Sequence, residues 1–105
     1  MTSPQQIIEQ AFENRETLNP ESAPEAVRNA VRETIAALNS GDVRVAEPTG
    51  NSQWKVNEWI KKAVLLSFRL EDNQLVDGGF TRYWDKVETK FENMDATDFQ
   101  QGGYR

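Results

Sequence analysis

Lys61 and Lys62 stand side by side in the stretch QWKVNEWIKKAVLLSFRL, Gln53 to Leu70, where two cations could grip an anionic ligand. Adjacent positions on a helix point about 100° apart, so the pair does not converge on one group. A solvated helix face accounts for both lysines. Trp54, Trp59 and Trp84 could form a stacking platform for bases or sugars. Buried aromatics explain them better, because each supplies a large apolar area to a small core. The carboxylates Glu71, Asp72, Asp77, Asp85, Glu88, Asp95 and Asp98 show no calcium-loop spacing. Nor does a catalytic pair stand out among them, and solvation is their default state. Asp77-Gly78-Gly79 and Gly102-Gly103 lack the flanking pattern of a phosphate-binding loop and read as turns. Arg105, after Gly-Gly-Tyr at the chain end, reads on composition alone as a frayed tail.

The chain has 105 residues, no histidine and no cysteine. The first absence removes the commonest general base and the Ser-His nucleophile pair. The second removes disulfides and thiolate sites, and the two together remove the usual zinc ligands. Its formal net charge of −5 argues against a duplex nucleic-acid binder, whose affinity rests on neutralising phosphates. The N-terminal MTSPQQIIEQAF lacks the basic and apolar regions of a signal peptide. The longest apolar run, Ala63 to Leu66, is far below the roughly 20 residues of a membrane span. These features lead us to expect a soluble, cytoplasmic protein with no nucleic-acid or membrane partner. The length fits one compact domain.

The elements that would position these residues follow from local pattern. Ser3 and Gln6 have the spacing of a capping box, with Pro4 suited to the first turn and Ile7, Ile8, Ala11 and Phe12 on one helical face. Ser22 to Glu25 repeats the capping pattern before a helix striped by Val27, Val31, Ile35 and Leu38, with Gly41 as its left-handed cap. VRVAE and SQWKV flank Pro48-Thr49-Gly50-Asn51 and predict a short hairpin with Trp54 on the buried side. Asn57 can cap a central core helix about 14 residues long, carrying a broad face of Trp59, Ile60, Ala63, Val64, Ser67 and Phe68. Turn residues then surround Leu75-Val76, and TRYWDKVETKF suits a strand. A final helical turn from Asp95 carries Phe99 and ends at Gly102-Gly103.

Read in order, ALNSGDVRVAE, QWKVNEWIKKAVLLSFRLEDNQLVDGG and RYWDKVETKF, together with IIEQAFENR and the closing FQQGGYR, closely resemble the N-terminal domain of tetrahydrodipicolinate N-succinyltransferase. The likeness runs over essentially the whole chain and is densest at Gly41–Glu47, Trp59–Arg69 and Tyr83–Phe91. It implies a mainly α (α+β) fold: a small helical N-terminal domain over residues 1–105 with a short β-hairpin, preceding a left-handed parallel β-helix absent from this chain. It implies a homotrimer that transfers succinyl from succinyl-CoA to an amino group of tetrahydrodipicolinate, in diaminopimelate and lysine biosynthesis, without a metal cofactor. Catalytic residues would lie beyond this chain, which would bind no cofactor and be inactive alone.

One functional residue carries over from the resemblance: Arg105 matches the family arginine that binds the dicarboxylate substrate. A guanidinium presents a planar donor fork that suits a carboxylate bidentately, as a lysine ammonium does not. Gly102 and Gly103 would let the backbone turn tightly just before it. The alternative is a free-standing helical interaction module, using an exposed face of the Trp59–Phe68 helix as its groove.

Overall fold

The structure, a computed structural model, describes residues 3–104. The chain divides into two compact units, Met1–Asp72 and Asn73–Arg105. The architecture is α+β, as the sequence predicts, and the strands among the described residues form two antiparallel hairpins.

In the first unit, α1 (Pro4–Glu13) begins with the expected capping box. Ser3 Oγ accepts from the Gln6 amide, and Gln6 Oε1 accepts from the Ser3 amide. Two orphan donors of the first turn are thereby satisfied. Ile8 and Ala11 are buried, flanked by Ile7 and Phe12. A 3-10 turn, Arg15–Thr17, follows. The second helix, α2 (Glu25–Ser40), starts differently from the sequence expectation: its N-cap is Pro24, with no side-chain cap. Ser22 is engaged instead in the preceding loop, accepting from the Asn19 amide and donating to the Thr17 carbonyl. Gly41 ends α2 at φ 87°, a left-handed cap that only glycine adopts freely.

The first hairpin pairs β1 (Ala46–Gly50) with β2 (Gln53–Val56). Its first strand lies three residues later than the VRVAE pattern suggested. The reversal falls at Asn51 and Ser52, whose φ values are 51° and 61°. Positive φ at both central positions matches the right-handed twist of two-residue hairpins, so the turn moved to them. Pro48 lies opposite Trp54 in the register, and the pairing shifts between Pro48 and Gly50. Trp54 is 63% exposed, which corrects its predicted placement on a buried face. A two-stranded ribbon has no second layer of its own to bury a side chain.

Asn57 precedes α3 (Glu58–Leu70), which packs against both α1 and α2. The buried line along α3 is Ile60, Ala63, Leu66 and Leu70, spaced three, three and four residues apart. Trp59 packs partly buried against the cluster, whereas Leu65 and Phe68 remain more than a third exposed. The predicted face of Trp59, Ile60, Ala63, Val64, Ser67 and Phe68 is thus corrected: Ile60 and Ala63 are buried, Phe68 is exposed, and Leu66 and Leu70 complete the line that α3 packs against α1 and α2. Arg28 donates to the Leu70 carbonyl at 3.4 Å and Arg69 to the Arg15 carbonyl at 3.0 Å. The Leu70 carbonyl, in the last turn of α3, thus gains a partner from α2, and the Arg15 carbonyl, which already accepts from the Leu18 amide, gains a second donor.

In the second unit, β3 (Gln74–Asp77) pairs with β4 (Arg82–Asp85), Leu75 opposite Trp84 and Val76 opposite Tyr83. This hairpin was only half visible in the sequence, where Leu75-Val76 read as a short apolar pair among turn residues and not as a strand. The reversal contains Gly79 at φ 81°, whose amide donates to Asp77 Oδ1. Trp84 is 70% exposed, so the core role expected of it also fails. The last helix, α4 (Ala96–Gly102), starts after Asp95, as the sequence indicated, and opens on a capping box between Asp95 and Asp98.

Candidate substrate-contact segment

The predicted site residue, Arg105, lies outside the described residues. What leads to it is described and tightly organised. Gly103 sits at φ 71°, its amide donating to the Gln100 carbonyl, while the Tyr104 amide donates to the Phe99 carbonyl. These two bonds and the Tyr104–Phe99 ring contact, 6.0 Å between centroids, make up a complete Schellman ending. Phe91 adds a third ring, 5.6 Å from Phe99 and 5.3 Å from Tyr104. The Tyr104 ring also folds over Gly102, where a Cβ would collide with it. Gly102 and Gly103 are thus required for different reasons, close approach of a ring and positive φ. Sequence reasoning missed Phe91 and Tyr104 as parts of this cluster. The signal was present, since an aromatic five residues ahead of another, across Gly-Gly, is the spacing of a Schellman hydrophobic contact.

The other candidates are dispersed. Lys61 is exposed, and Lys62 lies half-buried with Nζ 5.4 Å from the centre of the Phe12 ring. The Arg15 guanidinium carbon stands 4.3 Å from the same ring centre. Phe12 therefore gathers two cations at the edge of the helical core, an arrangement that stabilises packing without presenting both to a ligand. The groove of about 520 Å³ between α1, the Leu18–Ser22 loop and α2 is lined by Ile7, Ala11, Leu18 and Val27 with neutral polar residues. It offers no charged side chain to an anion. Among the described residues, no three potential metal ligands cluster. No helix there is long and apolar enough to cross a membrane.

Comparison with known proteins assigns the family. The family model described as tetrahydrodipicolinate N-succinyltransferase N-terminal matches residues 3–70. The chain belongs to this family. Among its relatives, a 2,3,4,5-tetrahydropyridine-2,6-dicarboxylate N-succinyltransferase from Polynucleobacter asymbioticus is 58% identical over 104 residues, covering 98% of this chain and 38% of that protein. A protein of the same name from Azoarcus sp. is 55% identical over 101 residues, with 96% and 37% covered. Another, from Methylobacillus flagellatus, is 51% identical over all 105 residues and 38% of its own length. The chain thus spans little more than a third of these N-succinyltransferases.

Proposed function

We propose that this chain is the N-terminal part of a tetrahydrodipicolinate N-succinyltransferase acting in diaminopimelate and lysine biosynthesis. The supporting observation is 58% identity over 98% of the chain to a protein of that name. In the reaction an amino group of the ring-opened dicarboxylate attacks the thioester carbonyl of succinyl-CoA. The new amide C–N bond forms as the C–S bond breaks, and coenzyme A leaves as the thiol with the proton lost by the amine. A cytoplasmic homotrimer is the working assembly that the family resemblance implies.

Within that enzyme the contribution of this chain is substrate binding through Arg105. The guanidinium fork holds a carboxylate of tetrahydrodipicolinate and helps orient the amine for attack. The test is Arg105→Lys in the full-length protein. A bond to a charged group carries about 1.5–3 kcal/mol, so KM for the dicarboxylate should rise roughly 10- to 100-fold while KM for succinyl-CoA holds. Unchanged kinetics toward the dicarboxylate would remove Arg105 from the site. The 105-residue chain by itself should release no coenzyme A from the two substrates, and turnover by it would overturn the assignment of catalysis to other residues.

A further inference from the structure

We infer that the Leu75–Trp84 face of the second hairpin is a docking surface for the polypeptide that follows residue 105 in the full-length enzyme. This rests on the reading of the chain as the N-terminal part of that enzyme. Alternate residues of a strand share a face, so the register puts Leu75, Asp77, Arg82 and Trp84 on one side and Gln74, Val76, Tyr83 and Asp85 on the other. On the second of these faces Tyr83 is engaged within the hairpin. Its hydroxyl accepts from the Thr81 hydroxyl at 3.0 Å, and its ring lies where a Cβ on Gly78 would touch it. The other face is left uncovered. Leu75 is 59% exposed, and Trp84, directly across from it, is 70% exposed. An apolar pair bordered by an acid and a base has the make-up of an interface centre with a charged rim.

The second unit cannot supply the cover itself. None of its described residues is buried, while Leu75, Phe80, Tyr83, Trp84 and Val87 are each more than half exposed. The first unit, by contrast, encloses Ile8, Ile60, Ala63 and Leu66. A unit running from Asn73 to Arg105 falls below the roughly 40 residues under which a domain needs disulfides, a metal or association. The chain has no cysteine, and among the described residues no three potential metal ligands cluster. Association is the remaining route, and a two-stranded ribbon needs a further layer in any case.

Two observations select the occupant. The matching family model is described as N-terminal, and the chain covers 38% of its relative from Polynucleobacter asymbioticus, so most of such a protein lies outside these residues. In that reading the remaining polypeptide is covalently joined to the second unit. A tether of that kind gives an effective concentration of about millimolar order, which a separate molecule does not have.

The experiment uses the full-length protein with Trp84→p-benzoylphenylalanine, a photocrosslinker that keeps an aromatic group on the face. Irradiation should join position 84 to a peptide from beyond residue 105 of the same chain, at monomer mass on a denaturing gel. An adduct joining two chains, an adduct to residues 3–72, or no adduct would each overturn the inference. As a second measurement, Trp84→Asp would place a charge in the docked face and should speed amide exchange across residues 74–85 roughly tenfold or more, with residues 58–70 unchanged. Gln74→Lys, on the opposite face, should exchange as the parent does. Parent-like exchange in Trp84→Asp, or equal acceleration in both variants, would also overturn it. Succinyl transfer by the parent protein is measured alongside: its absence refutes the functional reading, while the adduct reports docking independently.

Discussion

Asn57 donates from Nδ2 to the Arg44 carbonyl at 2.7 Å, and its backbone amide donates to the Val45 carbonyl at the same distance. The residue that begins α3 is thereby fastened to the segment entering the first hairpin, thirteen positions earlier. Its side chain was expected to cap the helix, but no cap bond is made, because the amide is turned toward the hairpin instead. Asn57→Ala should lower unfolding free energy by about 1–2 kcal/mol, by loss of the side-chain bonds to the Arg44 carbonyl and the Glu47 carboxylate. Asn57→Asp should be worse than alanine, since a carboxylate would face the Arg44 carbonyl and the Glu47 carboxylate now 3.4 Å away. Urea denaturation of the three proteins decides the order, and an aspartate variant as stable as the parent contradicts it.

Leu66 is fully buried in the helical cluster, whereas Trp54 stands largely in solvent. Leu66→Ala should cost about 2–5 kcal/mol through lost transfer energy and a cavity. Trp54→Ala, despite removing a far larger side chain, should cost about 1 kcal/mol or less. Thermal unfolding of both variants tests whether size or location governs the tryptophan's contribution.

Gly41 has open space around its Cα, so a methyl group there meets nothing. The cost of Gly41→Ala is therefore purely conformational, about 1–2 kcal/mol for a left-handed non-glycine residue. Gly41→Asn should recover part of that loss, because asparagine tolerates the region better. Equal stability of the alanine and glycine proteins in urea would show that α2 ends by another route.

Asp95 closes the start of α4 by accepting from the Asp98 amide at 2.9 Å. Asp95→Ala should destabilise the helix by about 1 kcal/mol. In amide hydrogen exchange the protons of residues 98–104 should exchange roughly fivefold faster, that energy expressed as a ratio. Exchange unaltered by the substitution would mean that the aromatic cluster alone maintains the helix.

Much of this architecture was legible because it is written locally. The Ser3–Gln6 box, the helix start at Asp95 and the Gly41 and Gly103 endings each declare themselves within a few residues, whereas the face expected of α3 shares only Ile60 and Ala63 with its fully buried line, which Leu66 and Leu70 complete. Misreadings came where a local pattern had two uses. Ser22 has the spacing of an N-cap, yet Asn19 and Thr17 in its own loop claim its hydroxyl. Trp54 and Trp84 have the composition of core residues, but burial depends on a second layer, which a strand pattern does not encode. The β3–β4 pairing escaped because Leu75-Val76 is too short to show alternation. For the candidate site, Gly102-Gly103 announced a turn, while the ring that explains Gly102 comes from Tyr104 folding back over it.

Among the described residues each strand of the first hairpin has one hydrogen-bonded neighbour, which leaves a rim on either side open to further pairing. Pro48, in the middle of β1 and opposite Trp54, has no amide hydrogen to offer an incoming chain. An extended segment approaching that rim finds a missing rung, and the register shift at Gly50 bends the template further. The irregular strand that looks like a flaw in the ribbon is thus a safeguard against fibre growth at high concentration.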